Sequence, residues 1–231
     1  MLNPDPWLGT LLGRPSFNVT TFDDARALRG ALPPSPAFVT AKIPVGDIVS
    51  SIQLQELGFR VVDTALSFAC DRIEPGESRV LARLARPEDR AAVEEIARSS
   101  FRYTRFHLDP GIPDATADAI KAAWAGNFFS GQRGDAMIVA ELDGAVVGFL
   151  LALVKDGCLT IDLIAVEESA ARRGAGSAMI RFAAHPQHGT APSRFRVATQ
   201  AANVPSCRMY EQVGFRFHGA SFVLHHHGVV Q

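Results

Sequence analysis

The sequence predicts an α+β fold in which a mixed, mainly antiparallel sheet is flanked by helices. The first observation is a pair of two-residue turns, Asp143-Gly144 and Asp156-Gly157, which join three apolar segments. Such turns favour antiparallel hairpins because glycine accepts a positive φ. The second observation is that segments before and after these strands carry apolar residues at helical spacing. Together they indicate a central sheet with helices packed against it.

Composition excludes several classes of protein. A length of 231 residues (24.9 kDa) allows one large domain, or one domain with a smaller attached piece. The net charge of -1 makes nucleic acid a poor partner. No apolar run reaches the roughly 18 residues of a membrane span, and the start of the chain, with Pro4, Asp5 and Pro6, is unlike a signal peptide. We therefore expect a cytoplasmic protein without a membrane partner.

The cysteines are three in number and far apart. Cys70, Cys158 and Cys207 contain no C-x-x-C spacing. This pattern argues against a disulfide framework and against a structural zinc site. It predicts small buried thiols.

The N-terminal segment is interrupted by Pro33, Pro34 and Pro36, but it contains an internal echo. Residues 54–60 resemble residues 210–216, and both runs read as a helix end, a capping glycine and a strand that begins with an aromatic residue. A chance likeness between two common helix endings remains the alternative. The echo predicts a small partial domain at 1–72, a linker at 73–77 and the main domain at 78–231.

The first half of the main domain begins with an alternating strand at 80–84, and Pro87 opens a helix with apolar residues at helical spacing. A second helix carries Ile120, Trp124 and Phe128 on one face and ends before Gly131. Three strands joined by the two Asp-Gly turns follow at 136–142, 145–155 and 158–166.

The second half continues with a helix from Gly174 to Pro186 and a strand at 194–199. Asn203 is a suitable N-cap for a fourth helix, and Gly214 is a suitable C-cap. Two closing strands are predicted at 215–217 and 222–225. The predicted order is therefore β-α-α-β-β-β-α-β-α-β-β.

A glycine-rich turn follows the third strand of the meander and opens a helix. Glycines allow backbone N–H groups to approach a diphosphate closely, and the helix start adds a partial positive charge. Arg172 and Arg173 supply full charges beside it. A dinucleotide-binding fold would require parallel strands here, whereas antiparallel hairpins precede the turn.

These residues resemble the GNAT superfamily of acetyl-CoA-dependent N-acetyltransferases, whose element order matches. The turn fits the pattern of that superfamily with Gly174-Ala175-Gly176, which puts Ala171 at the basic position, or in a second register that begins at Arg173. The basic contact is therefore left between Arg172 and Arg173. Residues 203–215 look like the N-x-x-[AS]-x-x-x-Y-x-x-x-G-F signature of its fourth helix.

The resemblance implies a direct transfer of acetyl from acetyl-CoA to an amine, without a metal. Tyr210 would be the general acid. Without the surrounding motif, the same tyrosine would be interpreted as an aromatic residue of the core. Asp162 is the candidate general base, expected on one strand face with Ile164 and Val166 because side chains alternate. It could instead be structural or order a water molecule. The implied acetyl-CoA contacts are Ile164, Ala165, Val166, Arg172, Arg173, Gly174, Ala175, Gly176, Ser177 and Asn203.

A narrower similarity covers most of the chain. Residues 101–110, the echo at 54–59 and residues 196–203 are similar to the dTDP-fucosamine acetyltransferase branch of the superfamily. This implies a nucleotide-linked amino sugar as acceptor, with Arg105 and His107 as substrate-binding residues. The alternatives are an N-acetyltransferase for another amine (an aminoglycoside, a polyamine or a protein N-terminus) and a non-catalytic acyl-CoA-binding module. A homodimer is compatible with the composition.

Three consecutive histidines, His225 to His227, raise the question of a metal site. Adjacent residues of a strand point to opposite faces, so all three cannot converge on one ion without a bend. We therefore expect a solvated strand end.

Overall fold

A computed structural model describes residues 1–22, 24–33, 36–185 and 192–228. Within these ranges the strands are β1 (Leu2–Pro4), β2 (Ser16–Val19), β3 (Phe38–Pro44), β4 (Arg60–Cys70), β5 (Leu81–Leu84), β6 (Ala136–Leu142), β7 (Ala145–Lys155), β8 (Cys158–Val166), β9 (Arg194–Gln200) and β10 (Arg216–His227). The α-helices are α1 (Pro6–Leu12), α2 (Ala25–Ala31), α3 (Ile48–Glu56), α4 (Arg90–Ser100), α5 (Asp114–Gly126), α6 (Ala175–Ala184) and α7 (Val204–Gln212). Pro34 and Pro186, which were predicted to interrupt structure, lie outside the described residues.

The strands form one sheet in the order β1-β2-β3-β10-β4-β9-β8-β7-β6-β5. Only the pairs β2–β3 and β8–β9 are parallel among the described strands. The predicted α+β class with a mixed, mainly antiparallel sheet is therefore confirmed. Helices α4 and α5 pack on one face of β7 and β8, and α6 packs on the other.

The N-terminal segment contributes directly to this sheet. Strand β10 lies between β3 and β4, and it pairs antiparallel with both of them. Strand β4 in turn pairs with β9. The boundaries 1–72, 73–77 and 78–231 stay a prediction, but the strands of the two segments share one hydrogen-bonded ladder.

The predicted meander matches strands β6, β7 and β8, and Asp143 and Asp156 adopt φ values of 53° and 49° in the connecting turns. The two closing strands are one continuous strand, β10, so this part of the predicted order is wrong. The register of β10 against β4 shifts between Phe217 and Gly219, and pairing continues on both sides of this bulge.

The cysteines differ from the prediction of buried thiols, because all three are only half-buried. Cys70 ends β4, Cys158 begins β8 and Cys207 lies in α7, so two of them occupy strand ends, where the sheet meets solvent. Among the described residues, no helix is long and apolar enough to cross a membrane.

Candidate active site

The site is built around a gap between two parallel strands. Strand β8 pairs with β9 only from Cys158 to Ile161, whereas β9 continues to pair with β4 as far as Gln200. Beyond Ile161 the two strands separate, so alternate backbone groups of residues 162–166 face the gap. The predicted cofactor contacts Ile164, Ala165 and Val166 lie on this open edge. An extended ligand could pair with it as an additional strand.

A bulge at Asp162 marks the point of separation. In the pairing of β7 with β8, the register shifts between Leu151 and Ala152, which leaves Asp162 as the extra residue. Ile164 and Val166 pack in the core beneath α6, but Asp162 faces Trp124 of α5. The expectation that Asp162 shares a face with Ile164 and Val166 is therefore wrong, because the bulge interrupts the alternation.

The carboxylate of Asp162 is held by two neighbours. Arg133 donates to its two oxygens at 2.6 and 2.7 Å, and Trp124 Nε1 donates at 2.9 Å. The hydrogen bond to Asp162 raises the pKa of Arg133. These three hydrogen bonds hold the carboxylate against α5 and the segment after it, which favours the structural alternative for Asp162.

The glycine-rich turn connects the open edge of β8 to helix α6. Arg172 has a φ of 62°, Gly174 has a φ of 88°, and α6 begins at Ala175 without a side-chain cap. The N–H groups of the first turn are therefore open to an anion, and the exposed Arg172 and Arg173 lie beside them. Of the other predicted residues, Ala175 is buried and Ser177 is half-buried.

Gly176 is explained by close packing. A Cβ atom there would lie 2.4 Å from Sδ of Met209, the neighbour of Tyr210, and 4.0 Å from Ile164. The start of α6, helix α7 and the open edge of β8 therefore meet at this point. Asn203 caps α7, where its Oδ1 accepts from Ser206 N at 3.3 Å.

Tyr210 is buried between two aromatic rings. Its ring centroid lies 6.0 Å from that of Phe68 and 5.7 Å from that of Phe215. The hydroxyl group makes no hydrogen bond to the described residues. Burial, assisted by Cys207, raises the pKa of Tyr210 above its ordinary value. The phenol therefore keeps its proton at neutral pH and is available as a donor.

The loop between α4 and α5 carries the two predicted substrate residues. Arg105 Nη1 donates to Thr40 Oγ1 at 2.6 Å, and its guanidinium lies 4.5 Å from the centroid of the Phe106 ring. His107 bonds Thr104 Oγ1 at 2.6 Å and Asp118 Oδ1 at 3.0 Å. Both ring nitrogens of His107 are thus engaged within the protein, and the ring fixes the loop to α5.

Two further charged residues were missed by the sequence analysis. Lys121 is 7% exposed, and its ammonium lies 4.6 Å from the Trp124 ring and 4.9 Å from the Phe101 ring. A signal existed, because Lys121 stands at i+4 from Ala117 on the apolar face of α5. Burial, and then the charge of Arg105, lowers the pKa of Lys121 to about 7.

The second missed residue, Asp63, lies on β4 and is 7% exposed. Val223 of β10 pairs with Lys42 on one side and with Asp63 on the other, so the side chains of Lys42 and Asp63 lie on the same face of the sheet. Thr40, two residues before Lys42, lies on this face as well and accepts a hydrogen bond from Arg105. Burial raises the pKa of Asp63 to about 6. The backbone N–H of Thr64 and the charges of Lys42 and Arg105 lower this pKa, but by less than burial raises it. No local motif marks this residue, and only strand pairing reveals it.

The histidine strand end is not solvated, contrary to the prediction. His225 and His227, two residues apart and on one face, converge on Asp109 Oδ2 at 2.6 and 2.7 Å, and His225 is 1% exposed. Burial lowers the pKa of His225 to about 4, despite its hydrogen bond to Asp109.

These three side chains are close enough to hold an ion. However, Arg14 Nη2 lies 2.9 Å from His227 Nδ1. Since arginine only donates, Nδ1 accepts and Nε2 carries the proton that it gives to Asp109. The proton occupies the position that a metal ion would need, so the cluster is a hydrogen-bonded clamp.

Comparison with known proteins agrees with this geometry. Residues 90–215 match the model of the acetyltransferase (GNAT) family. The chain is 29% identical over 196 residues to the spore coat polysaccharide biosynthesis protein SpsD of Bacillus subtilis. That match covers 81% of this chain and 66% of SpsD, slightly less than two thirds of its length.

Solved structures share the fold. A conserved protein of unknown function from Staphylococcus epidermidis aligns with a TM-score of 0.64 and 16% identity, over 96% of this chain and 89% of that one. A tandem GNAT protein from the clavulanic acid biosynthesis pathway aligns with a TM-score of 0.60 and 10% identity, over 94% and 76% of the two chains. At these identities the likeness establishes the fold alone.

Proposed function

Because the chain belongs to the acetyltransferase (GNAT) family, we propose that it transfers acetyl from acetyl-CoA directly to the amino group of a nucleotide-linked amino sugar. The observation that carries the proposal is the meeting of an open strand edge, beyond Ile161, with the uncapped start of α6. The similarity to a protein of spore coat polysaccharide biosynthesis supports a sugar as acceptor.

In this proposal the donor lies along the gap. The backbone of Ile164 to Val166 pairs with the extended arm of the coenzyme and polarises the thioester oxygen. The N–H groups at the start of α6 hold its diphosphate, and Arg172 and Arg173 add charge there. Asn203 contributes by fixing the start of α7 through its cap.

Tyr210 protonates the departing thiolate. An ordinary phenol with a pKa of about 10 is a weaker acid than a thiol at about 8.5, so transfer to a free thiolate would be uphill by roughly 2 kcal/mol. The raised pKa of the buried Tyr210 increases this difference. The proton must therefore move in concert with cleavage of the C–S bond.

The acceptor amine must be neutral when it attacks. Asp162, the carboxylate first expected to take its proton, is engaged by hydrogen bonds from Arg133 and Trp124. Asp63 is the better candidate because it is buried on the acceptor face, forms no ion pair among the described residues and has a pKa near 6. Asp162 then acts as a positioning residue for Arg133 and Trp124.

The Asp63→Asn variant is expected to gain stability and lose activity. A carboxyl group whose folded pKa is raised from about 3.8 to about 6 destabilises the folded protein as the pH rises through that window. The difference corresponds to ~3 kcal/mol at most, and solvent screening reduces it to about 1–2 kcal/mol. Urea unfolding at pH 7.5 should therefore show a variant more stable by that amount, and the two proteins should converge near pH 4.

Asp24→Asn, an exposed cap in α2, serves as control and should show no such gain. A loss of stability in Asp63→Asn at pH 7.5 would contradict the raised pKa of Asp63. An unchanged rate of acetyl transfer would remove Asp63 from the mechanism.

The coenzyme contact is tested by calorimetry with acetyl-CoA. Replacing both Arg172 and Arg173 with alanine is expected to raise the Kd roughly 10- to 30-fold, because two exposed charges near a diphosphate contribute about 1 kcal/mol each. The control is the double replacement of Arg26 and Arg29, which are exposed on α2 and do not belong to the glycine-rich turn. Equal affinities in the two double variants would refute the assignment of the turn.

The acceptor is tested by release of coenzyme A thiol in the presence of dTDP- and UDP-linked amino sugars. Turnover on one of them supports the proposal. Turnover only on an aminoglycoside, a polyamine or a peptide would refute the amino sugar as acceptor but would support acetyl-CoA as donor. Absence of acetyl-CoA binding by the folded protein would overturn the proposed function.

A further inference from the structure

Two cations on the acceptor side, the buried Lys121 and the half-buried Arg105, lack ion-pair partners among the described residues. The Lys121 ammonium lies among the rings of Phe101, Phe106 and Trp124 and has no hydrogen-bond acceptor among the described residues. The only acceptor of the Arg105 guanidinium in the described part of the chain is the neutral hydroxyl of Thr40. Both cations lie near the Phe106 ring, at 6.0 and 4.5 Å from its centroid.

The surrounding charges do not neutralise this pair. Facing Lys121 are Arg105 from the loop, Arg133 after α5 and Asp162 on β8. Asp162 already accepts two hydrogen bonds from Arg133 and one from Trp124. Facing Arg105 are Asp5 and Asp63, and neither forms an ion pair with it. A buried charge without a partner is unfavourable, and aromatic faces compensate it only in part.

We propose that Arg105 and Lys121 form a proton-coupled binding site for an oxyanion, a phosphate or carboxylate group carried by the acceptor. The planar guanidinium can bind two oxygens at once, and the ammonium supplies a point charge beside it. The assignment of this anion to the acceptor rests on the proposed function, whereas the anion site itself does not.

Coupling to a proton follows from the burial of Lys121. Burial and the neighbouring cations lower the pKa of Lys121 to about 7, so the amine is mostly neutral at pH 8. An oxyanion beside it favours the charged form and raises that pKa. Binding at pH 8 should therefore take up most of one proton, whereas binding at pH 6 should take up little because the ammonium is already charged there.

The experiment is titration calorimetry of the full chain with dTDP and with glucuronate, in buffers of different ionisation enthalpy at pH 6 and pH 8. Proton uptake at pH 8 with dTDP alone assigns a phosphate, and uptake with glucuronate alone assigns a carboxylate. Lys121→Met should abolish the uptake and weaken binding at pH 6 by at least about 10-fold. The control, Lys155→Met, removes an exposed lysine and should change neither quantity.

Methionine matches the length of the lysine stem and suits an aromatic surrounding, so the variant should fold. Arg105→Met provides an independent test, because it should weaken binding at both pH values. Anion binding without proton uptake at pH 8 would overturn the site. Anion binding of unchanged affinity in Lys121→Met would also overturn it. Competition with acetyl-CoA would also overturn it, since the anion would then occupy the glycine-rich turn.

The outcomes separate this inference from the proposed function. If an amino sugar is acetylated but no proton is taken up, the anion site fails and acetyl transfer stands. If anions bind with proton uptake but acetyl-CoA does not bind, the site stands and acetyl transfer fails.

Discussion

Replacing Tyr210 with phenylalanine is expected to slow acetyl transfer by roughly 10²- to 10⁴-fold, the usual contribution of a general acid. The phenol stays protonated at neutral pH because burial raises its pKa, so its proton is available when the thiolate departs. The ring itself would remain packed between Phe68 and Phe215. The measurement is kcat from coenzyme A thiol release on the acceptor identified in the panel.

The change should leave folding almost intact. The Tyr210 hydroxyl makes no hydrogen bond to the described residues, so its removal should alter the free energy of unfolding by less than about 1 kcal/mol. Tyr103→Phe is the matched control, because Tyr103 is 41% exposed and lies outside the proposed chemistry. A Tyr210→Phe enzyme with unchanged kcat would show that another group protonates the thiolate.

Replacing Asp109 with alanine is expected to destabilise the protein by about 3 kcal/mol. The carboxylate accepts from His225 Nδ1 at 2.6 Å, from His227 Nε2 at 2.7 Å and from Gly111 N at 2.8 Å. Burial would raise the pKa of Asp109, but these hydrogen bonds lower it below its ordinary value. Without the carboxylate, the buried N–H of His225 has no acceptor, and each unsatisfied donor costs about 1–3 kcal/mol.

Thermal unfolding measures the effect directly. A loss of about 3 kcal/mol should lower Tm by roughly 6–12 °C in a protein of this size. Asp109→Asn keeps one acceptor oxygen and should lose about half as much. Asp114→Ala, at the exposed start of α5, should lose less than about 1 kcal/mol. If Asp109→Ala and Asp114→Ala were equally stable, the clamp would contribute nothing to folding.

The N-terminal segment takes part in the proposed site through two strands. Strand β3 supplies Thr40, which accepts from Arg105, and β4 supplies Asp63. Both strands pair with β10, so a change in this part of the sheet would also move the acceptor side. The proposed acceptor site is therefore assembled from the N-terminal segment and from the loop and helix that follow α4.

Local sequence determined the elements that depend on neighbouring residues. The Asp-Gly turns determined the ends of three strands because each hairpin requires a positive φ at both of its turn residues. Asn203 and Gly214 marked the ends of α7 for the same local reason. The glycine-rich turn and Tyr210 were recognised because their motifs are contiguous in the chain.

Tertiary structure decided what depends on pairing between distant segments. The insertion of β10 between β3 and β4, and the bulge that turns Asp162 toward Arg133, follow from strand register, which no local window contains. The approach of Asp63 to Arg105 and of His225 to Asp109 arises in the same way. Where an element is regular, sequence spacing sets which of its faces a side chain occupies. Pairing and packing of distant elements set where that regularity is broken, which partner the side chain meets and how far it is buried.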